Sequence, residues 1–295
     1  MMRAPDGWAV AVRRPDGVIE AKNGELPRLS EKNALARIPV LRGGLVLVES
    51  LTLGFRALSW SAQKSGDEDE EITKGQAAWT MVFAAAFAIA LFVAIPLFAA
   101  RCLQRLFSDS SILFVVFDGA IRIGLIVGYI WLVSRWKEIQ RVFQYHGAEH
   151  KTIHAFESGD PLTIENIQRY SPRHPRCGTS FLLIVGMVAF FIFLFLAGLP
   201  FIWQAAARIL FIPVIAGLSY EVLKAGAATR WMAWANRPGI WLQSITTKEP
   251  EDPMVEVAVA SLLAALSAEA AEEVRARGPI APGAQAVQLN LDPTA

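Results

Sequence analysis

Residues 77–100 (AAWTMVFAAAFAIALFVAIPLFAA) contain no charged side chain. A helix of about twenty such residues matches the hydrocarbon thickness of a bilayer. Trp79 is placed for an interface, and Pro96 is tolerated near the far end. Three further apolar blocks follow at 112–134, 179–203 and 205–223, the last with Pro213 inside it. The expected fold class is an α-helical integral membrane protein with about four transmembrane helices.

Composition narrows the alternatives. Apolar residues make up 54% of the chain and charged residues 19%, which excludes disorder as its main character. Two cysteines, Cys102 and Cys177, cannot staple 295 residues into a disulfide scaffold. A net charge of +1 offers no field for nucleic acid, so no nucleic-acid partner is expected.

Four spans leave 1–76, 135–178 and 224–295 on one side. Twelve Lys and Arg residues flank the spans there, against three on the other side. Positive charge marks the cytoplasmic face. The expectation is a multi-pass protein of the bacterial cytoplasmic membrane, with both termini cytoplasmic. No apolar leader precedes the first span, which reads as an uncleaved anchor.

The polar segments divide by pattern. In 1–38, alternation on both sides of Pro15-Asp16-Gly17 predicts a small β-hairpin over 8–22. In 39–76, Arg42, Glu49 and Arg56 recur every seven residues through an apolar stretch. They predict a helix on the membrane surface over 39–62, with a fifth span as the alternative. The acidic stretch 65–71 (SGDEDEE) reads as a solvated loop. Transmembrane helices 1 and 2 fill 77–134, a His/Cys motif segment fills 135–178, and helices 3 and 4 fill 179–223. The segment 224–277 reads as cytoplasmic and helical, with an amphipathic helix over 253–274. The Pro/Ala/Gln-rich tail 278–295 is expected to be disordered.

All four histidines, His146, His150, His154 and His174, fall within 29 residues, and Cys177 follows three residues after the last. The segment 135–157 reads as a continuation of the second transmembrane helix. His146, His150 and His154 are then four apart and share one helical face. His146-Gly-Ala-Glu149-His150 is an H-x-x-E-H spacing, in which two imidazoles bind a metal and a carboxylate polarises water. His146 and His150 with His174 or Cys177 suit zinc in ligand type and number. Glu149 is the candidate general base. The alternative is a set of histidines that only hydrogen-bond.

Other polar residues are less specific. Lys151, Arg173 and Arg176 read as a phosphate site or as positive-inside anchors. Glu221 reads as reaching the histidine stripe or as pairing with Lys224. Asp118 and Arg122, one turn apart inside the second span, read as a cavity or a structural ion pair.

Several of these residues sit in ordered motifs. Tyr145–Lys151 (YHGAEHK), His174–Ser180 (HPRCGTS), Ala216–Glu221 (AGLSYE) and Leu242–Pro250 (LQSITTKEP) resemble the motifs of the YqhQ-like family of bacterial membrane proteins. Arg42-Gly43 followed by Glu49-Ser50-Leu51 fits the same pattern, and the likeness runs to about residue 266. The family pattern opens with a Gly- and Glu-containing stretch before Val-Met-Met-Arg, whereas this sequence starts at Met1-Met2-Arg3. The resemblance implies a domain of unknown function, commonly labelled a metal-dependent enzyme.

Two functions are therefore expected. The first is a membrane-embedded zinc enzyme, a hydrolase at the cytoplasmic membrane surface acting on a lipid-linked phosphate or a membrane peptide. The second is a non-enzymatic, homo-oligomeric membrane scaffold or chaperone beside the protein-insertion machinery. Membrane lipid is a partner in both. A transporter is disfavoured, because the spans show no repeat symmetry.

Overall fold

Alternation on both sides of Pro15-Asp16-Gly17 does form a hairpin. Strands β1 (Met2–Arg3), β2 (Gly7–Arg13) and β3 (Ile19–Glu25) pair antiparallel, and Gly17 turns the hairpin at φ 86°. A fourth strand, β4 (Gln288–Asn290), adds parallel to β3. These elements belong to a computed structural model that describes residues 1–5, 7–26, 38–65, 74–107, 110–229, 234–285 and 287–290. Residues 66–71 of the acidic loop lie outside the described residues.

The chain is otherwise mostly helical. Helix α1 (Pro39–Ser65) is followed by α2 (Lys74–Ile89), a π-helical turn (Ala90–Ala94) and α3 (Ile95–Phe107). Next come α4 (Ser111–Val133), α5 (Lys137–Ser158), α6 (Ile164–Gln168) and α7 (Thr179–Phe195). Helices α8 (Phe201–Leu210), α9 (Ile212–Ala228), α10 (Arg237–Thr246), α11 (Asp252–Ala265) and α12 (Ala268–Ala276) complete the series.

Two stretches are long and apolar enough to cross a membrane, Trp79–Phe107 and Ser111–Val133. The other two candidate spans differ from expectation. The third stops at Phe195, because Gly198 and Pro200 break the backbone ladder that 179–203 would need. The fourth is a pair of helices, Ile202–Leu210 and Ile212–Gly226, bent by 54°. Pro213 has no N–H to continue α8, so it opens α9 instead. The helix expected over 39–62 forms as α1 and runs three residues further.

Three further expectations are corrected. The segment 135–157 does not continue the second apolar helix: α4 ends at Val133, and Trp136 is extended before α5 begins. The helix predicted over 253–274 is two helices, parted by extended backbone at Leu266 and Ser267. Nor is α11 amphipathic, since residues Val257–Leu263 are all buried. The tail expected to be disordered holds a 3-10 turn (Pro282–Ala284) and β4.

Two cores result. The larger centres on α11, with Val255 and Val259 fully buried among Ala9 and Ile19 of the sheet, Ala148 and Ala155 of α5, and Ala284 of the tail. The smaller joins α3, α4, α7 and α9 through Ala100, Phe114, Val115, Phe193 and Ile215. Around it the usual polarity is reversed. Gln104, Asp118, Gln204, Arg208 and Ser219 are buried, while Phe83, Phe98, Phe195, Ile202 and Ile209 are exposed. Helix α1 links the two layers. Its first half crosses α9 where Gly43 and Gly217 meet, and a Cβ at Gly217 would sit 1.9 Å from the Val40 carbonyl oxygen. Its second half packs Leu53 and Ala57 on Trp8 and Val10 of β2.

Candidate metal centre

The site forms where α5, the loop before α7 and the end of α10 converge. Their approach depends on Gly147, whose added Cβ would lie 2.0 Å from the Lys248 carbonyl oxygen. The backbone of 246–248 can therefore lie against α5, and Lys248 N donates to Phe143 O at 3.0 Å. The loop is held from two sides. On one, Gln243 of α10, fully buried, accepts from His174 N at 2.8 Å and donates to His174 O at 3.0 Å and Ser180 Oγ at 3.3 Å. On the other, the stripe on α5 grips the loop backbone. His150 Nδ1 donates to Pro172 O at 2.7 Å, and His154 Nε2 donates to Arg173 O at 2.9 Å.

These contacts fix the tautomers. A carbonyl oxygen only accepts, so the nitrogen facing it carries the proton. His146 Nδ1 donates to Thr246 O at 2.9 Å and His150 Nδ1 to Pro172 O. In both rings Nε2 is left as the nitrogen whose lone pair could take a metal. His146 Nε2 lies 3.2 Å from Cys177 Sγ. One ligand atom from each of His146, His150 and Cys177 falls within 4.8 Å of the others.

The electrostatics agree with this geometry. Burial pushes the Cys177 thiol up, but hydrogen bonding and charge interaction with His146 and His150 outweigh it and hold the thiol at about 5. Burial pulls His146 down, and the Cys177 partner reverses this, leaving His146 above the ordinary histidine value. Thr179 Oγ1, 3.0 Å from Sγ, adds a further contact at the start of α7.

His174 stands apart from this group. Its Nδ1 accepts from Arg176 N at 3.2 Å, so its remaining proton is on Nε2, which faces Glu157 Oε2 at 3.6 Å. A neutral imidazole in that arrangement has no lone pair left for a metal. Burial and the charge of His154 hold His174 down to about 4. Its ring lies between those of His150 and His154, at centroid distances of 5.7 and 4.7 Å. Of the two alternatives expected beside His146 and His150, Cys177 joins them within ligand distance, and His174 lies beside the group in the loop.

The other candidates are placed as follows. Glu149 lies beside His146, whose charge it favours, and pairs with the Met1 amino group. Lys151 is buried, pairs with Glu249 at 2.6 Å and donates to Gln168 O at 2.9 Å. Arg176 pairs with Glu157, and Arg173 is exposed. Lys151 and Arg176 are thus each paired with a separate carboxylate. Glu221 reaches neither the histidines nor Lys224, because Arg42 of α1 holds it with contacts of 2.7 and 2.9 Å. Asp118 does pair with Arg122, at 3.2 Å, and also with Arg208 of α8, at 3.0 Å. Cys102 and Cys177 are both free thiols.

Sequence reasoning missed Gln243 as a site residue. It was quoted only within a motif, and a neutral side chain in WLQSITT carries no charge signal. Arg208 was legible as a lone cation in an apolar block.

The sequence model of the family described as "Protein of unknown function (DUF1385)" matches residues 38–268, a stretch that includes the whole cluster. The chain is 35% identical over 285 residues to "Uncharacterized protein YqhQ" of Bacillus subtilis (strain 168), covering 90% of this chain and 89% of that one. No solved structure matches the chain.

Proposed function

The chain belongs to the DUF1385 family, and from that premise we propose that it is a membrane-embedded, metal-dependent hydrolase. One observation carries the metal reading. Two main-chain carbonyls lock His146 and His150 as Nδ1–H tautomers, with Nε2 available beside the Cys177 thiolate. Carbonyl-oriented imidazoles of this kind recur as metal ligands. Two nitrogens and one sulfur suit zinc, and three protein ligands leave the open position that catalytic zinc sites keep. When bound, zinc supplies Lewis-acid polarisation of a substrate oxygen and activation of water. The protein's part is positional. Gln243 holds the loop, Thr246 and Pro172 hold the rings, and Glu149 beside His146 serves as the base that takes a proton.

Two features support a membrane setting. The reversed polarity around α3, α4, α7 and α8 suits lipid as the surrounding solvent. The larger core also joins segments from before, between and after the apolar helices, so these share one side. The chain then crosses out and back through α2–α3 and α4, and again through α7 and the α8–α9 pair. Positive flanking charge makes the shared side cytoplasmic, both termini included. The centre sits at the root of α7, where a lipid-linked phosphate or a membrane peptide would arrive.

The test is metal content by mass spectrometry on detergent-purified protein, beside a His146→Ala/His150→Ala variant. About one zinc per chain, lost in the variant, is expected. Absence of metal from a folded wild-type protein overturns the reading. A second reading, a homo-oligomeric scaffold or chaperone at the insertion machinery, is favoured by the exposed apolar length of Trp79–Phe107. It predicts defined oligomers and co-purifying insertion components without any need for metal.

A further inference from the structure

Away from the metal centre, one group of side chains is out of charge balance. Asp118 of α4 is 2% exposed and receives two guanidiniums, from Arg122 of its own helix and Arg208 of α8. The Asp118–Arg122 pair is already neutral as an i, i+4 ion pair. Arg208, with a side chain 5% exposed, adds a second cation. Among the described residues no second carboxylate meets it. Its Nε has no hydrogen-bond partner, nor has the buried Gln204 Oε1 one turn earlier. The Phe114 and Phe193 rings, 5.5 and 5.0 Å from the Arg208 guanidinium carbon, attract the cation but do not neutralise it.

The cluster also has a direction. Arg122 leans toward the start of α4 and keeps 17% side-chain exposure. Long cationic side chains reach toward the nearest polar boundary in this way. Arg122 also donates to the Phe92 carbonyl at 2.7 Å, within the π-helical turn Ala90–Ala94. Such turns disturb the helix ladder and recur at functional sites. Helix α8 turns Gln204 and Arg208 inward and leaves Ile202, Trp203, Ile209 and Leu210 exposed.

We infer that the Asp118–Arg122–Arg208 cluster binds the phosphate of an anionic phospholipid headgroup, in the leaflet on the side of the α3–α4 connection. The ligand supplies the negative charge that the cluster lacks, and Arg122 is its way in. Guanidinium suits this role because its planar N–H fork matches phosphate oxygens. The inference rests on the membrane reading above but not on the metal.

Protein in nanodiscs of mixed phosphatidylglycerol and phosphatidylcholine is analysed by native mass spectrometry for retained lipid. Wild type is expected to retain phosphatidylglycerol at least about tenfold over phosphatidylcholine. Arg208→Gln should fall to the background ratio. Arg208→Lys, which keeps the charge but loses the planar fork, should fall between the two. Wild-type retention in a folded Arg208→Gln, or a folded Arg208→Lys that retains no more than Arg208→Gln, overturns the inference. Displacement of the lipid by millimolar inorganic phosphate overturns the lipid source. Protein that alkaline carbonate strips from membranes fails the membrane reading instead, so the two failures are distinguishable.

Discussion

His146 Nε2 stands 3.2 Å from Cys177 Sγ, close enough for one proton to be shared between imidazole and thiol. In metal-stripped protein this pair favours the charged forms. Cys177 titrates at about 5 in the fold against 9.0 for the free thiol. A depressed acid stabilises the fold fully above its unfolded value, and the contribution is lost as pH falls through the folded one. Thiolate absorbance, read in a Cys102→Ser background, should therefore appear near pH 5. His146→Ala should move it up toward the ordinary thiol range. An unmoved transition would remove His146 as the cause.

The approach of α5 to the 246–250 segment predicts a position-specific glycine effect. Gly147→Ala places a methyl 2.0 Å from the Lys248 carbonyl oxygen, where backbone rather than a flexible side chain must yield. Overpacking of this kind costs roughly 1–3 kcal/mol. It also parts His146 from Thr246 O, so metal retention should fall along with stability. Gly178→Ala is the control, since nothing lies within 4 Å of its added Cβ and its φ is −63°. Thermal unfolding and metal content of both variants check this, and equal behaviour would refute it.

Much of the fold was legible because its signals are local. Alternation around Pro15-Asp16-Gly17 gave the hairpin, and apolar length gave the two long apolar helices. The losses came where a local signal was outweighed by packing. Gly198 and Pro200 shortened the third block by breaking it, and Pro213 divided the fourth. The 253–274 pattern read as one-sided, yet α11 is enclosed by the sheet and α5, which no single-helix periodicity reveals. At the site, spacing gathered the four histidines and Cys177 but could not choose among them. That choice depends on which ring nitrogen meets a carbonyl, and Thr246 O comes from a hundred residues away.

Arg42 and Glu221 test the α1–α9 crossing in the same spirit. Their bidentate contact bridges two helices far apart in sequence, with side chains 33% and 25% exposed. Partial exposure limits such a pair to a coupling of about 1 kcal/mol. Arg42→Glu and Glu221→Arg should each destabilise the protein, and the swapped double variant should recover most of the loss. A double-mutant cycle on unfolding midpoints measures this. No recovery on swapping would mean that the close Gly43–Gly217 contact alone sets the crossing.

His174 sets the acid limit of the layer around α5 and α10. It faces Glu157, His154, His150 and Arg176, and burial with the His154 charge lowers it to about 4 from 6.5. A base with a lowered value is neutral in the fold while the unfolded chain takes a proton. Stability is therefore lost as pH falls from 6.5 toward 4, and nothing is lost above 6.5. The loss should be on the order of 2 kcal/mol once the neighbouring Glu157 and partial solvation are counted. The Cys177 contribution falls over a higher range, from 9.0 down to about 5, and overlaps this one only between pH 6.5 and 5. His174→Gln should flatten the profile between pH 6.5 and 4 while leaving stability at pH 8 little changed. Denaturant unfolding across that range decides it, and an unaltered acid slope in the variant would place the limit elsewhere, with Cys177 the first alternative.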